Sequence, residues 1–193
     1  MRMDAKIIMQ LRQATGVGVL DAKKALEESG GDLEQAKDIL RKQGGAKAAK
    51  KAGRETAEGL VGSYLHQTGK LGVLVSVACE TDFVARSDDF KTLVQDLAMH
   101  IAASDPEYVR PEDVPEAVIA KEREIAAEQA AGKPVEVVAK IVDGKLQKFY
   151  AERCFLKQEY LKDDSITVQQ RVDQAIAKLG ENIQVREFCR FAL

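Results

Sequence analysis

The sequence contains no tryptophan, and phenylalanine and tyrosine together make up only 5% of its 193 residues. Its core must therefore be built mainly from aliphatic side chains, which makes the position of each phenylalanine informative. Cysteine is scarce as well. Cys79, Cys154 and Cys189 are too few and too scattered for a disulfide framework, and their spacing matches no zinc pattern, so they read as small buried apolar residues. The only histidines, His66 and His100, fall on an expected strand and in the middle of an expected helix, where His100 reads as a packing residue rather than a general base. No serine or cysteine sits at a recognisable nucleophile elbow, and no glycine-rich loop follows a strand to cradle phosphate. Gly16-Val17-Gly18 lacks a third glycine and follows a helix. The adjacent acids Asp88-Asp89 and Asp163-Asp164 diverge by about 100° on a helix, as capping or solvated charges do. The chain thus does not read as an enzyme, and no catalytic residue, metal or cofactor is expected. Long apolar runs are missing too. The longest are of strand length, far below the roughly 20 residues that cross a bilayer, and the N-terminus has no apolar signal core. The expected setting is the cytoplasm, with no membrane contact.

What the sequence does have is charge, at 31% of residues, with a net value of −2 and a pI near 5.8. The distribution is uneven: residues 1–54 carry a net +5 and the remainder −7. Six of the fourteen residues from Arg41 to Arg54 are basic and none is acidic. Such a run can steer an acidic partner or touch phosphate. It lacks the aromatic groups of a single-stranded nucleic-acid site, so a solvated helix and linker is favoured and no direct nucleic-acid contact is expected.

Periodicity divides the chain at about residue 54. Residues 1–54 read as three short helices and a connector: Ile7, Ile8 and Leu11 form one apolar stripe, Val19 to Glu28 a second helix, and Asp32 caps a third that carries Ala36, Ile39 and Leu40 and ends at Gly44-Gly45. Alanine and lysine then lead through a helical or flexible connector. Residues 55–193 form the second unit. Leu60 to Gln67 and Leu71 to Cys79 flank Thr68-Gly69 as an antiparallel hairpin. A helix from about Ser87 to Ala103 presents Phe90, Leu93, Val94, Leu97 and Ile101 on one face to cover it. Two helices, roughly Pro115 to Ala131 and Pro134 to Leu156, form an antiparallel pair, with Gly144 a candidate interruption. A further helix runs from Val168 to Leu179, and the segment Ile183 to Phe191 returns as a third strand. The expected fold class is α+β, a three-helix bundle followed by a core with a three-stranded antiparallel sheet covered by helices and a helical hairpin.

Between the second strand and the following helix lies Thr81-Asp82-Phe83-Val84, which places a large apolar ring at a corner. Either the ring folds inward or a partner receives it, because burying it is worth roughly 1.5–3 kcal/mol. Five further blocks accompany this motif in order. They are Ala14 to Leu26 followed by GGDLEQA, KAAKKAGRE at 47–55, GVLV at 72–75, DLAMHIAASDPEYV at 96–109 and KLGENIQVREFCRF at 178–191. With CETDFVAR at 79–86 they make the chain closely resemble the translation elongation factor Ts family over essentially its whole length.

That resemblance implies a ubiquitin-associated-like first bundle and a guanine-nucleotide exchange factor that binds the GTPase elongation factor Tu and promotes release of its GDP. It places the exchange motif at Thr81, Asp82, Phe83 and Val84. The ring of Phe83 would enter the partner between two helices, and Asp82 would help order that contact. Arg12, Val19, Leu20 and Lys23 correspond to the positions with which the family's first domain docks on the same GTPase. Val19-Leu20 stands where many relatives carry methionines. Short members of the family form homodimers, and a lone three-stranded sheet gives a physical reason to pair. Two other readings are a nucleic-acid binder using Arg41 to Arg54 and a ubiquitin-like adaptor using the Gly16 to Leu20 corner; neither needs Phe83.

Overall fold

A computed structural model describes residues 4–193. In the first bundle, α1 (Ala5–Thr15) starts at Asp4, whose carboxylate accepts a hydrogen bond from the Lys6 amide, and stops at Gly16 with φ 70°. α2 (Val19–Glu28) follows, and α3 (Leu33–Ala49) starts at Asp32, which caps the Glu34 and Gln35 amides. Leu11, Ala22, Ala25, Leu26, Ala36 and Leu40 close a small core among the three helices.

Gly44-Gly45 does not end α3, as the sequence suggested; the helix continues to Ala49. Each glycine costs about 1 kcal/mol in a helix interior, and tertiary packing offsets that cost. Gly44 is buried and Ala48 joins the larger core of the second half. The connector is likewise anchored rather than loose. Lys51 Nζ donates to the Gly180 carbonyl, and Asn182 Nδ2 donates to the carbonyls of Ala52 (3.4 Å) and Arg54 (2.9 Å). The basic run is therefore partly consumed in holding the fold: Arg41 pairs with Asp38, Lys47 with Asp21 and Arg54 with Glu80.

β1 (Glu58–Leu65), β2 (Leu71–Cys79) and β5 (Ile183–Ala192) form one antiparallel sheet in the order β1-β2-β5, with a register shift at Ser76/Val77. α4 (Asp82–Arg86) and α5 (Asp88–Ser104) come directly after β2. The buried stripe Phe90, Leu93, Val94, Leu97 and Ile101 lies on Val73, Val75 and Val77. Gly62 of β1 permits this close approach, because a Cβ there would collide with Val94 Cγ1. α6 (Glu116–Gln129) and α7 (Val135–Arg153) make the helical hairpin, and α7 passes Gly144 unbroken. α8 (Val168–Leu179) occupies its expected span, opening on a Thr167–Gln170 capping box and stopping at Gly180 with φ 80°. β3 (Glu159–Tyr160) and β4 (Asp163–Thr167) form a second small hairpin with no counterpart among the expected elements, being too short and irregular to show alternation.

Cys79 and Cys154 are buried as expected, and burial pushes both thiols up to about 11, leaving them inert. Cys189 departs from expectation and is exposed. It lies opposite Leu74 on the sheet face turned away from α5, a face that also carries Val61, Leu65 and Phe191. These four apolar side chains are between 46% and 73% exposed.

His100 is fully buried on α5 and packs edge-on to Phe155, 5.5 Å away between ring centroids. Its Nδ1 accepts from the Leu161 amide (3.1 Å), so Nε2 carries the proton and donates to Gln158 Oε1 (3.0 Å). Beside it, Asp96 accepts from Tyr160 Oη and Lys162 Nζ. A second proton on His100 would face the Leu161 N–H, and desolvation also holds the histidine below its ordinary value of 6.5. At higher pH neither the folded nor the unfolded chain protonates this residue, and its contribution is complete. As pH falls below 6.5 the unfolded chain binds a proton that the folded chain refuses. We therefore expect stability to decline as pH falls below 6.5, ahead of the titration of most carboxylates. Urea midpoints across that range check this, and His100→Gln should flatten the slope.

Candidate functional site

The geometry of residues 79–87 follows from how β2 ends. Cys79 is the last strand residue, and Thr81 adopts extended backbone (φ −129°, ψ 156°) as the N-cap of α4, its Oγ1 accepting from the Val84 amide (3.4 Å). The motif is thus a single turn and a half of helix rather than the loop that the sequence suggested. Ala85 points into the core and Val84 packs against it. These two residues fix the helix, and Phe83 is left on its outer side with 84% of its surface exposed. Asp82 forms an (i, i+4) ion pair with Arg86 at 3.2 Å. Ser87 joins the two helices: its Oγ donates to the Val84 carbonyl (2.7 Å) and accepts from the Phe90 amide (3.3 Å). An aromatic ring is thereby held in water on a short, firmly anchored element, forgoing the roughly 1.5–3 kcal/mol that burial would give.

A second exposed patch lies on the first bundle. Val19 and Leu20 open α2 and remain exposed, Leu20 by 74%, while Lys23 lies one turn further on and pairs with Glu27 at 3.7 Å. Arg12 projects from the last turn of α1. Met9, one turn before Arg12, is also exposed and was not singled out from the sequence, although its i, i+3 spacing to Arg12 was the available signal. These exposed residues of α1 and α2 offer apolar contact area and two cations, Lys23 being paired with Glu27.

No hydrogen bond or ion pair joins the two patches among the described residues. Lys178 of α8 reaches from Gly16 of the bundle to Asp89 of α5. Its side chain lies over Gly16, at 3.6 Å from where a Cβ would be, and its Nζ pairs with Asp89 Oδ1 at 2.7 Å, near the start of α5. The sequence also gave no sign of the polar groups that anchor the motif from below, namely Glu181, Asn182, Glu80 and Arg54. No group of three or more histidine, cysteine or carboxylate side chains is placed to hold a metal ion among the described residues, and no helix is long and apolar enough to cross a membrane.

A family model described as elongation factor TS matches residues 23–193. A protein of Fervidobacterium nodosum named elongation factor Ts is 53% identical over all of this chain and 99% of its own. One of the same name from Coprothermobacter proteolyticus is 54% identical with the same coverage, and one from Geobacter sulfurreducens is 53% identical over all of this chain and 90% of its own.

Proposed function

The chain belongs to the elongation factor Ts family and so has its role in the elongation phase of protein synthesis, and from that premise we propose that it is the guanine-nucleotide exchange factor of elongation factor Tu. The observation that carries the reading is Phe83, a solvent-exposed ring on a helix whose backbone is held at both ends. In this reading the factor catalyses no bond change and binds no nucleotide. It stabilises a conformation of the GTPase that has lost its grip on GDP and magnesium.

Weakening that grip a thousandfold requires about 4 kcal/mol of coupling, and the coupling is reciprocal, so bound GDP expels the factor by the same amount. Insertion of Phe83 contributes roughly 1.5–3 kcal/mol before the partner's deformation is counted. A second grip is therefore needed. Arg12, Val19, Leu20 and Lys23 supply it, with residues 1–54 as the docking unit and residues 55–193 carrying the exchange motif. Because Lys51 and Asn182 tie the connector to the end of α8 and α3 packs against α8, the two grips are presented at a set spacing, which lowers the ordering cost of engaging both. The direct test is release of fluorescent GDP from elongation factor Tu. The chain should accelerate it strongly, and no acceleration would overturn the reading.

The same reading includes a homodimer. Val61, Leu65, Leu74 and Phe191 share the uncovered sheet face, and a twofold pairing of that face would bury each of them twice. We expect sedimentation at micromolar concentration to give twice the chain mass. Phe191→Asp should raise the dissociation constant by about 100-fold or more, since two rings are removed from the interface. A single-chain mass for the native protein would refute the dimer.

A further inference from the structure

We propose that Glu181 is a positioning residue for exchange, its carboxylate holding the backbone at the start of α4 so that Phe83 is presented outward. The inference rests on the exchange reading above. Glu181 lies one hundred residues beyond Thr81, yet its Oε2 accepts from the amides of Glu80 (3.1 Å) and Thr81 (3.0 Å), and its Oε1 accepts from Thr81 Oγ1 (2.6 Å). Thr81 Oγ1 is the group that caps the Val84 amide, so Glu181 orients the cap itself. The clasp is reciprocal. Glu80 returns its own carboxylate to the Asn182 amide (2.6 Å), while Asn182, almost fully buried, donates its side-chain amide to the Arg54 carbonyl.

The backbone delivers Glu181 to this position. Gly180 ends α8 with φ 80°, turning the next residue toward the end of β2, and its carbonyl is held by Lys51. The connector after α3, the end of α8 and the motif thus converge on residues 80–81 and 180–182. A five-residue helix has too few internal hydrogen bonds to persist alone, because nucleation is unfavourable at that length. Without the clasp α4 frays, the fraction of molecules presenting the ring falls, and the apparent affinity for the partner falls by the same fraction.

Reach and charge can be separated at this position. Glu181→Asp keeps the charge but is one methylene too short. Glu181→Gln keeps the length, with its oxygen available to both backbone amides and its NH2 to Thr81 Oγ1. At sub-saturating concentration of the factor, we expect Glu181→Asp and Glu181→Ala to slow GDP release from elongation factor Tu by about tenfold, and Glu181→Gln to stay within about threefold of the native chain. Glu181→Ala combined with Phe83→Ala should be no slower than Phe83→Ala alone, within about twofold. In the isolated protein, hydrogen exchange at the Thr81 amide should speed up about tenfold or more with aspartate or alanine and remain near native with glutamine. If aspartate retained activity while glutamine lost it, Glu181 would be a charge contact to the partner and the proposal would fail. An additive double variant, or a Thr81 amide indifferent to Glu181→Asp, would overturn it as well. Because the hydrogen-exchange arm needs no partner, the clasp is tested even if the native chain proves not to release GDP.

Discussion

Phe83→Ala is expected to slow the accelerated release of GDP by roughly 10- to 100-fold at sub-saturating factor, the effect of removing about 1.5–3 kcal/mol of ring burial from the complex. The same substitution should leave the unbound protein's stability within about 0.5 kcal/mol of native. The two expectations come from the same observation. With 84% of its surface in water, Phe83 has little burial to lose on truncation, and α4 is held by Ala85, Val84, Ser87 and the Thr81 cap instead. Alanine is also the better helix former, which offsets part of any loss. Stopped-flow release of fluorescent GDP, together with a urea melt of the same preparation, checks both. A variant as active as native would remove the ring from the mechanism. A variant that was both inactive and markedly less stable would show that the ring supports the fold.

How far the site can be read from sequence depends on how far apart its parts lie along the chain. Local features were legible. The Asp32 cap, the Gly180 stop, the alternation of Val73, Val75 and Val77 and the helical spacing from Phe90 to Ile101 each arise within one or two turns of chain, and each appears in place. The return of the segment Ile183 to Phe191 to the hairpin was also legible, because the sheet needed a partner strand. Features decided by tertiary packing were not. Gly44-Gly45 looked like a terminator, but α8 packs alongside α3 and Ala48 enters the main core, so the helix is continued from outside itself. Thr81 to Val84 looked like a loop because a helix of five residues leaves no periodic trace. Cys189 looked buried because cysteine usually is, yet strand alternation places it on the uncovered face with Leu74. The anchoring of Thr81 by Glu181 depends on a pairing across one hundred residues that no local pattern encodes.

Phe90 tests the opposite case, seven residues beyond Phe83. It is fully buried among Val73, Val75, Leu93 and their neighbours, and one turn of α5 fixes its backbone through Ser87. Phe90→Ala should therefore cost about 3–5 kcal/mol, the transfer term plus the cavity left in a close-packed interior. For a chain of this length that corresponds to a fall in Tm of roughly 6–20 °C. Activity should behave differently from that of Phe83→Ala. Below the new melting transition the folded fraction still presents Phe83 from α4, so GDP release per folded molecule should stay within a few-fold of native, and the loss should appear only as the temperature approaches unfolding. Phe90→Leu should recover most of the stability, because leucine, though smaller than phenylalanine, fills most of the space that alanine would leave empty. Urea midpoints and GDP release measured across a temperature series separate the two phenylalanines. If Phe90→Ala left the midpoint unchanged, the sheet-facing stripe of α5 would not be the core. If it abolished release in a fully folded protein, α4 could not be the independently anchored platform on which the role of Phe83 depends.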